Sequence, residues 1–533
     1  MTSDTKNKRL IAFTGGQILT MDPQNNNAET VVIRGNRIID IGDAEICNQY
    51  PDVDIVNLDG RTLLPGFIDS HNHLSSFACF FPNWVNLFGL MTKEEILGAL
   101  KKHAQMNPGN GWIVGFGWFD GKSGGIDLNR FDLDETGFVR PVLLIQATFH
   151  MSVTNSLGLE MAGIDSATPN PRCGTIIRDR DGKPTGVLIE NAQSSVFNLT
   201  MNTEIGEHAE LIRARALELL SFGITAIHDP GVTLKAAEAY RFLYNRENLP
   251  VSVLMMPHGA TILDNDPGMW LEGPKTGSGD EHLRIGPVKI FADGATPETV
   301  AYDMVIRGQT MKSGSFRDDF RGILYDATRK GFRVCVHSFG NATTDAVLDA
   351  FEEAKKYAPP EFEIRPRLEH VTLISDSQIR RLAVMGGCVS IQPQFLMRAA
   401  NFSRAPVENA KWLPYADLFK SGVCVAASSD DPGGFMDARD PLKGAVMGST
   451  MSNGDGNTVF PDQVLSFEQW LWFYTAGSAY AGGQEHERGM LKKGLVADLV
   501  ILKGALDPEN PPVVDETYKD GRLVFKRQNE VNV

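Results

Sequence analysis

The chain has 533 residues, 42% of them apolar, which is enough for one large barrel with additions or for about three average domains. A formal net charge of −15 with no dense Lys/Arg run leaves no basic footprint for nucleic acid or for an anionic membrane surface. The opening MTSDTKNKRLIAF lacks the apolar stretch of a signal peptide and no window reaches a membrane span, so a cytoplasmic location is expected.

In chain order, RLIAFTGGQILTMD, TVVIRGNRIIDIG and DIVNLDGRTLLPG predict short strands broken by Gly, Asn and Asp turns. The C-terminal GLVADLVILKG and ETYKDGRLVFK have the same character. Residues 1–64 and 488–533 are therefore expected to build one composite β-sandwich from both termini.

Between them, residues 65–487 alternate apolar runs with helix-like segments such as TDAVLDAFEEAKKYA, the α/β pattern of repeated βα units. The candidate strands are GFIDS (66–70), ITAIH (224–228), VSVLMMP (251–257), GPVKIF (286–291), RVCVH (333–337), RPRLEH (365–370), CVSIQ (388–392) and VCVAAS (423–428). They make eight, the number that closes a TIM barrel, and the fold class is a distorted (β/α)8 barrel. The gap after the first strand is too long for one crossover. It holds GWIVGFGW, RPVLLIQATFHMSV and NPRCGTIIRDRDGKPTGVLIE, which predict a subdomain inserted at about 110–205 and roofing the barrel. The six cysteines show no CxxC, and Cys335, Cys388 and Cys424 sit in β-like runs, so neither a disulfide framework nor a cysteine zinc site is expected.

Residues at the C-terminal ends of barrel strands converge on one site. His71 and His73 follow the first strand, Lys289 lies in the fourth, His337 ends the fifth, His370 ends the sixth and Asp430 follows the eighth. Imidazole, carboxylate and amine donors suit a borderline divalent ion, zinc foremost. Alternate residues of an extended segment point the same way, so His71 and His73 can hold one ion together. A lone H-x-H is weak; the set at successive strand ends is what carries the inference.

The stretches PGFIDSHNHL, VKIFADG, VHSFGNATTDAVLDAFEEA, RLEHVTLIS, SSDDPGG and GLVADLVIL, in this order from Pro65 to about Leu502, resemble the amidohydrolase superfamily in its amidohydrolase-3 or YtcJ-like branch. The resemblance implies that His71, His73 and Asp430 bind one ion and that His337 and His370 bind a second. Lys289 would bridge them if CO2 carboxylates its amine, because an ammonium has no lone pair to offer. Without that modification one ion is expected, and Lys289 would pair with Asp293 or another acid. The family's SDxP arrangement selects Asp430 over Asp431, leaving Asp431 as a turn or helix-start residue. Asn341 departs from the Asp the family often carries there.

The implied chemistry is hydrolysis of a non-peptide C–N bond by water that a divalent ion makes acidic, with Asp430 as general base and then acid. An N-substituted formamide or other N-acyl amide is the leading substrate class. Carbamate or cyclic-amide hydrolysis and amino-heterocycle deamination are the enzymatic alternatives, and a non-catalytic binding or regulatory protein on the same scaffold is the alternative of another kind. Phe80, Phe81 and Trp84, in FACFFPNW, are candidates for an apolar pocket that would take an apolar or aromatic substituent, with plain core packing as the competing role. His150 and Asn155, in TFHMSVTNSLGL, are further candidate substrate contacts or turn caps, and His228 ends the second strand, where an ordering role competes with substrate contact. The partner is a small molecule, and the resemblance leaves a homodimer open.

Two motifs compete and lose. GKSGG (Gly121–Gly125) fits G-x-S-x-G but lacks the strand before and helix after that a nucleophile elbow requires. As a phosphate loop it has Phe116 where glycine is needed, and no strand is expected to feed it.

Overall fold

Eight short buried runs become parallel strands in the order the sequence predicts. They are β1 (Phe67–Asp69), β2 (Ile224–Val232), β3 (Ser252–Pro257), β4 (Val288–Phe291), β5 (Val334–Ser338), β6 (Arg367–His370), β7 (Cys388–Ile391) and β8 (Cys424–Ala427). The computed structural model describes residues 9–24, 28–259, 272–296, 298–398, 406–433 and 438–528. The segments that form β5, β6 and β7 are buried along their whole length; β5 and β7 read as largely apolar runs without alternation, whereas β6, Arg367–His370, is buried although three of its four residues are polar or charged.

The strands form two arcs. One is β1–β2–β3 with an additional strand, Leu283–Ile285, on its edge, and the other is β4–β5–β6–β7–β8. At the first seam the Gly259 amide donates to the carbonyl of Lys289 at 2.9 Å, and His258 pairs with Lys289. At the second, Asp430 N donates to the carbonyl of His71 at 2.8 Å and His73 N to that of Asp431 at 3.0 Å. The arcs thus meet at both ends in a ring, and the seam between β8 and β1 is made of the candidate site residues themselves. Helices such as Ile205–Leu220 and Asn341–Ala354 lie between consecutive strands and bury Ile212, Ala216, Val347 and Phe351 in the shared core.

Strands from the two ends of the chain share a sheet: Thr62–Pro65 pairs antiparallel with Leu499–Lys503, which continues into Val513–Lys519 and Arg522–Lys526. A second sheet, from Leu10–Thr14, Thr30–Arg34, Arg37–Gly42 and Asp54–Asn57, packs on it through Phe13, Val31, Ile33, Leu63, Leu499, Ile501 and Tyr518.

Between β1 and β2 lies a six-stranded sheet that runs from Val85–Asn86 to Pro184–Glu190. It begins well before the boundary of about 110 expected from sequence, because a two-residue strand carries no period and the helix Lys93–Met106 lies inside the unit. The strand Ile113–Trp118 does precede Gly121–Ser123, contrary to expectation, but the next helix starts only at Arg130, so no nucleophile elbow forms. A hairpin, Tyr302–Ile306 with Gln309–Ser313, emerges between β4 and β5 and was not foreseen. All six cysteines are unpaired. Among the described residues no helix is long and apolar enough to cross a membrane.

Candidate metal centre

The geometry starts at Asp69, at the end of β1. Its buried carboxylate accepts from Ser429 N at 2.9 Å, from Asn72 Nδ2 at 2.9 Å and from His71 N at 3.3 Å, tying the H-x-H segment to the end of β8. Burial pushes its pKa up to about 6, against the donors around it. On this frame His71 Nε2 and His73 Nε2 each stand 3.3 Å from Asp430 Oδ1. Ligand atoms of these three residues lie within 4.8 Å of one another, a spacing that fits one ion.

The other predicted ligands surround that trio. Lys289 Nζ is 3.4 Å from His71 Nε2, the His370 ring centre is 4.9 Å from that of His71, and the His337 ring is 4.6 Å from that of His370. Lys289 is buried, and among the described residues no carboxylate forms an ion pair with it; the expected alternative partner, Asp293, instead accepts from Phe339 N and Gly340 N at 3.0 Å each. Burial lowers the lysine's pKa.

Each histidine also has one ring nitrogen committed to an oxygen acceptor. His71 Nδ1 faces Glu369 Oε2 at 2.5 Å, His73 Nδ1 the carbonyl of Pro230 at 3.1 Å, His370 Nδ1 the amide oxygen of Gln392 at 2.8 Å, and His337 Nε2 the carbonyl of Gly294 at 3.0 Å. Gln392 is oriented by donating its own amide to Ser428 Oγ at 2.8 Å. A neutral ring carries one proton, and when that proton sits on the nitrogen facing these acceptors the other nitrogen offers its lone pair. That is the state a metal ligand requires. Burial, reinforced by neighbouring cations, lowers the pKa of His71 and His337 and brings that of His370 to about 4, so these rings are neutral at pH 7. For Asp430 burial acts the other way, but His71, His73 and His370 outweigh it and hold the carboxyl below its usual range.

The backbone bends unusually here. Asp430 and His370 have φ of 58° and 75°, and Val371 follows at 49°, a left-handed conformation that costs a β-branched residue energy and that clusters at working sites. Asp431 is no simple turn residue: it is buried and binds Arg215 Nη2 through both oxygens, at 2.9 and 3.1 Å. The adjacent aspartates therefore face opposite ways, Asp430 to the histidines and Asp431 to the helix behind.

Several other expectations need correction. His228 is fully buried with both ring nitrogens engaged by Arg367 and Gln484, so it faces the protein and has no nitrogen left for substrate. Asn155 is a helix cap: its oxygen accepts from Gly158 N at 3.0 Å and Val142 N at 3.1 Å, and its nitrogen donates to the carbonyl of Arg140. Phe80 belongs to the buried core, 5.2 Å from the ring of His208. Phe81 and Trp84 are half-buried in an aromatic cluster with Phe116, and the aromatic of this stretch that stands against a candidate ligand is Phe77, 5.7 Å from His73 and 4.1 Å from Phe149. His150 does reach the centre, 5.4 Å from the His337 ring, with its Nδ1 2.9 Å from Glu190.

Sequence reasoning missed Phe339 and Phe395, partly exposed rings 4.9 and 5.7 Å from His370, and the buried Arg367 and Glu369. The last two carried a signal: opposite charges two apart, on one face of a strand expected inside a parallel sheet, have to be buried against each other.

Comparison with known proteins shows the family. A protein-family profile described as "Amidohydrolase family" matches residues 54–525. The chain is 29% identical to the N-substituted formamide deformylase of Arthrobacter pascens, over 97% of this chain and 99% of that protein. It is 28% identical to the putative amidohydrolase YtcJ of Bacillus subtilis (strain 168), over 96% and 99%. Its fold is similar to that of an uncharacterized metal-dependent hydrolase from Pyrococcus horikoshii OT3, with a TM-score of 0.72 and 24% identity over 94% of this chain and 98% of the other.

Proposed function

Since the chain belongs to the amidohydrolase family, as a metal-dependent hydrolase of carbon–nitrogen bonds other than peptide bonds, we propose that it cleaves an N-substituted formamide or another small N-acyl amide bearing an apolar substituent. The observation that carries this reading is the pairing of a ligand set with aromatic surface. His71, His73 and Asp430 converge on one point, and the rings of Phe77 on one side and Phe339 and Phe395 on the other stand against the histidines. Aromatic walls with a few convergent polar groups suit a small acyl group at the centre and an apolar amine beside it.

His71 Nε2, His73 Nε2 and an oxygen of Asp430 would hold the first divalent ion, zinc foremost. His337 and His370 would hold a second, provided Lys289, lodged beside His71 and paired with no acid among the described residues, carries a carboxylate. When bound, such an ion supplies Lewis acidity and brings the pKa of water to near 7. Asp430 then does the proton work. Its carboxylate takes a proton from the attacking water at one oxygen and delivers it to the leaving nitrogen, with Asp69 and Asp431 holding the turn on which it sits. Phe77, Phe339 and Phe395 exclude solvent from the departing amine.

The test is a panel of N-aryl and N-alkyl formamides, acetamides, carbamates and amino-heterocycles, read as release of acid, alcohol or ammonia, beside metal content per chain with and without bicarbonate. Formate from the formamides in preference to the other classes is the expected result; turnover of carbamates or heterocycles alone overturns the substrate reading. About two ions per chain supports the carboxylated lysine and about one confines the metal to the His71 site. No ion after reconstitution overturns the centre.

A further inference from the structure

Arg367 is among the largest fully buried side chains of the molecule, at 1% exposed, and every one of its five N–H groups is placed. Nε donates to Glu369 Oε1 at 2.6 Å. Nη2 donates to the carbonyl of Ser70 and to Glu369 Oε2, the latter at 3.3 Å. Nη1 donates to His228 Nδ1 at 3.0 Å and to the carbonyl of Ala481 at 3.3 Å. A guanidinium cannot accept, so His228 must accept at Nδ1 and carry its proton on Nε2, which faces Gln484 Oε1 at 3.3 Å. The result is a buried chain, Gln484, His228, Arg367, Glu369, His71, in which each group fixes the proton of the next.

Glu369 is thereby set apart from the other acceptors. His73 and His370 lean on a carbonyl and an amide oxygen, and His337 on the carbonyl of Gly294 with the Asp293 carboxylate farther off at 3.6 Å, whereas His71 is hydrogen-bonded directly to a carboxylate that a buried guanidinium keeps ionised. We propose that Glu369, held by Arg367 and through it by His228, is a positioning residue that locks His71 in the Nδ1–H form and so sets how tightly the His71–His73–Asp430 site holds its ion. The proposal rests on the reading of His71 as a ligand, and it gives His228 a role at the back of the centre instead of at the substrate.

The proposal makes an unusual demand of one isosteric substitution. In Glu369→Gln the new amide has a single oxygen, which the charged Arg367 Nε claims, so its NH2 turns to His71 Nδ1. That nitrogen must then accept, and the His71 proton moves to Nε2, where it blocks the ligand position. Removing the guanidinium as well, in Arg367→Met with Glu369→Gln, frees the amide oxygen to accept from His71 again.

Two readouts decide the matter. In the metal-free protein labelled with 15N-histidine, the resonance that disappears in His71→Ala reports the tautomer. In the whole chain titrated with Co2+ against a chelator, the affinity and the visible bands of cobalt report the site. Expected are an Nδ1–H signal in the wild type, an Nε2–H signal and about 10- to 100-fold weaker Co2+ binding with altered bands in Glu369→Gln, and partial return of both in the double variant. If Glu369→Gln keeps the Nδ1–H form and binds Co2+ within about threefold of the wild type, the proposal fails. If Glu369→Gln does not fold, the double variant decides, since an Nε2–H form there would equally overturn it. Should the wild type bind no divalent ion, the metal reading fails by itself, and the tautomers of the metal-free proteins still settle what Glu369 does.

Discussion

At the scale of single residues, the proposed function asks most of Asp430. It sits at a φ of 58° between two partners, His71 and His73, each 3.3 Å away. Asparagine tolerates the left-handed region nearly as well as aspartate and keeps one oxygen for an ion, but it cannot take a proton. Asp430→Asn is therefore expected to fold normally, retain part of its metal and lose kcat by roughly 10²- to 10⁴-fold, the usual worth of a positioned acid–base group. Steady-state turnover with metal analysis of the same sample checks this, and a kcat within about threefold of wild type would remove Asp430 from the proton path. Asp430 was legible from sequence because an H-x-H and an Asp at strand ends are short-range patterns. The acceptors behind the histidines were not, since Pro230, Gly294 and Gln392 do their work through backbone carbonyls and an amide that look like any other in a sequence.

At the scale of elements, the eight strands could be read because each is a buried run of fitting length, whereas the hairpin Tyr302–Ser313 could not. Its turn is Arg307–Gly308, with φ of 52° and 71°, where the usual signal is Asn or Asp before the glycine. What anchors the hairpin is equally invisible locally: Asn341, at the start of the helix Asn341–Ala354, accepts from Asp303 N at 2.9 Å and donates to the carbonyl of Asp303 at 2.6 Å. An ionised aspartate could accept but not donate, and this gives a physical reason for the amide at position 341. Asn341→Asp should set a carboxylate oxygen against that carbonyl and cost about 1–3 kcal/mol. Thermal unfolding together with limited proteolysis would show a lower midpoint and earlier cleavage at residues 302–313; an unchanged midpoint and an uncleaved hairpin would mean that Glu408 and Asn409, which also bond the hairpin, hold it without Asn341.

At the scale of the whole molecule, the union of the two chain ends was visible as strand-like sequence at both termini. Its attachment to the rest was not, because it runs through side-chain pairs hundreds of residues apart. Arg37 Nη2 meets Glu281 at 2.8 Å, and His282 Nε2 meets Asp520 Oδ2 at 3.0 Å. The last pair makes this attachment sensitive to pH. The Asp520 hydrogen bond raises the His282 pKa, against partial burial, and Asp520 is in turn held below its usual range, where its own burial is outweighed by His282 and Lys519. A histidine whose folded pKa lies above its unfolded value of about 6.5 stabilises the fold fully below that value and loses the contribution as pH rises through the folded pKa. The aspartate works in the opposite sense, its contribution being present above an unfolded pKa of about 3.9 and lost only in stronger acid. The pair is thus strongest between about pH 4 and 6.5 and fades above, with both side chains partly in water and the effect correspondingly small. His282→Gln should lower the unfolding temperature more at about pH 5.5 than at about pH 8, so the difference between wild type and variant, measured by calorimetry, shrinks with rising pH. Taking that difference cancels the other histidines, which titrate alike in both proteins. A gap that stays constant across the range would show that His282 serves this contact by packing alone.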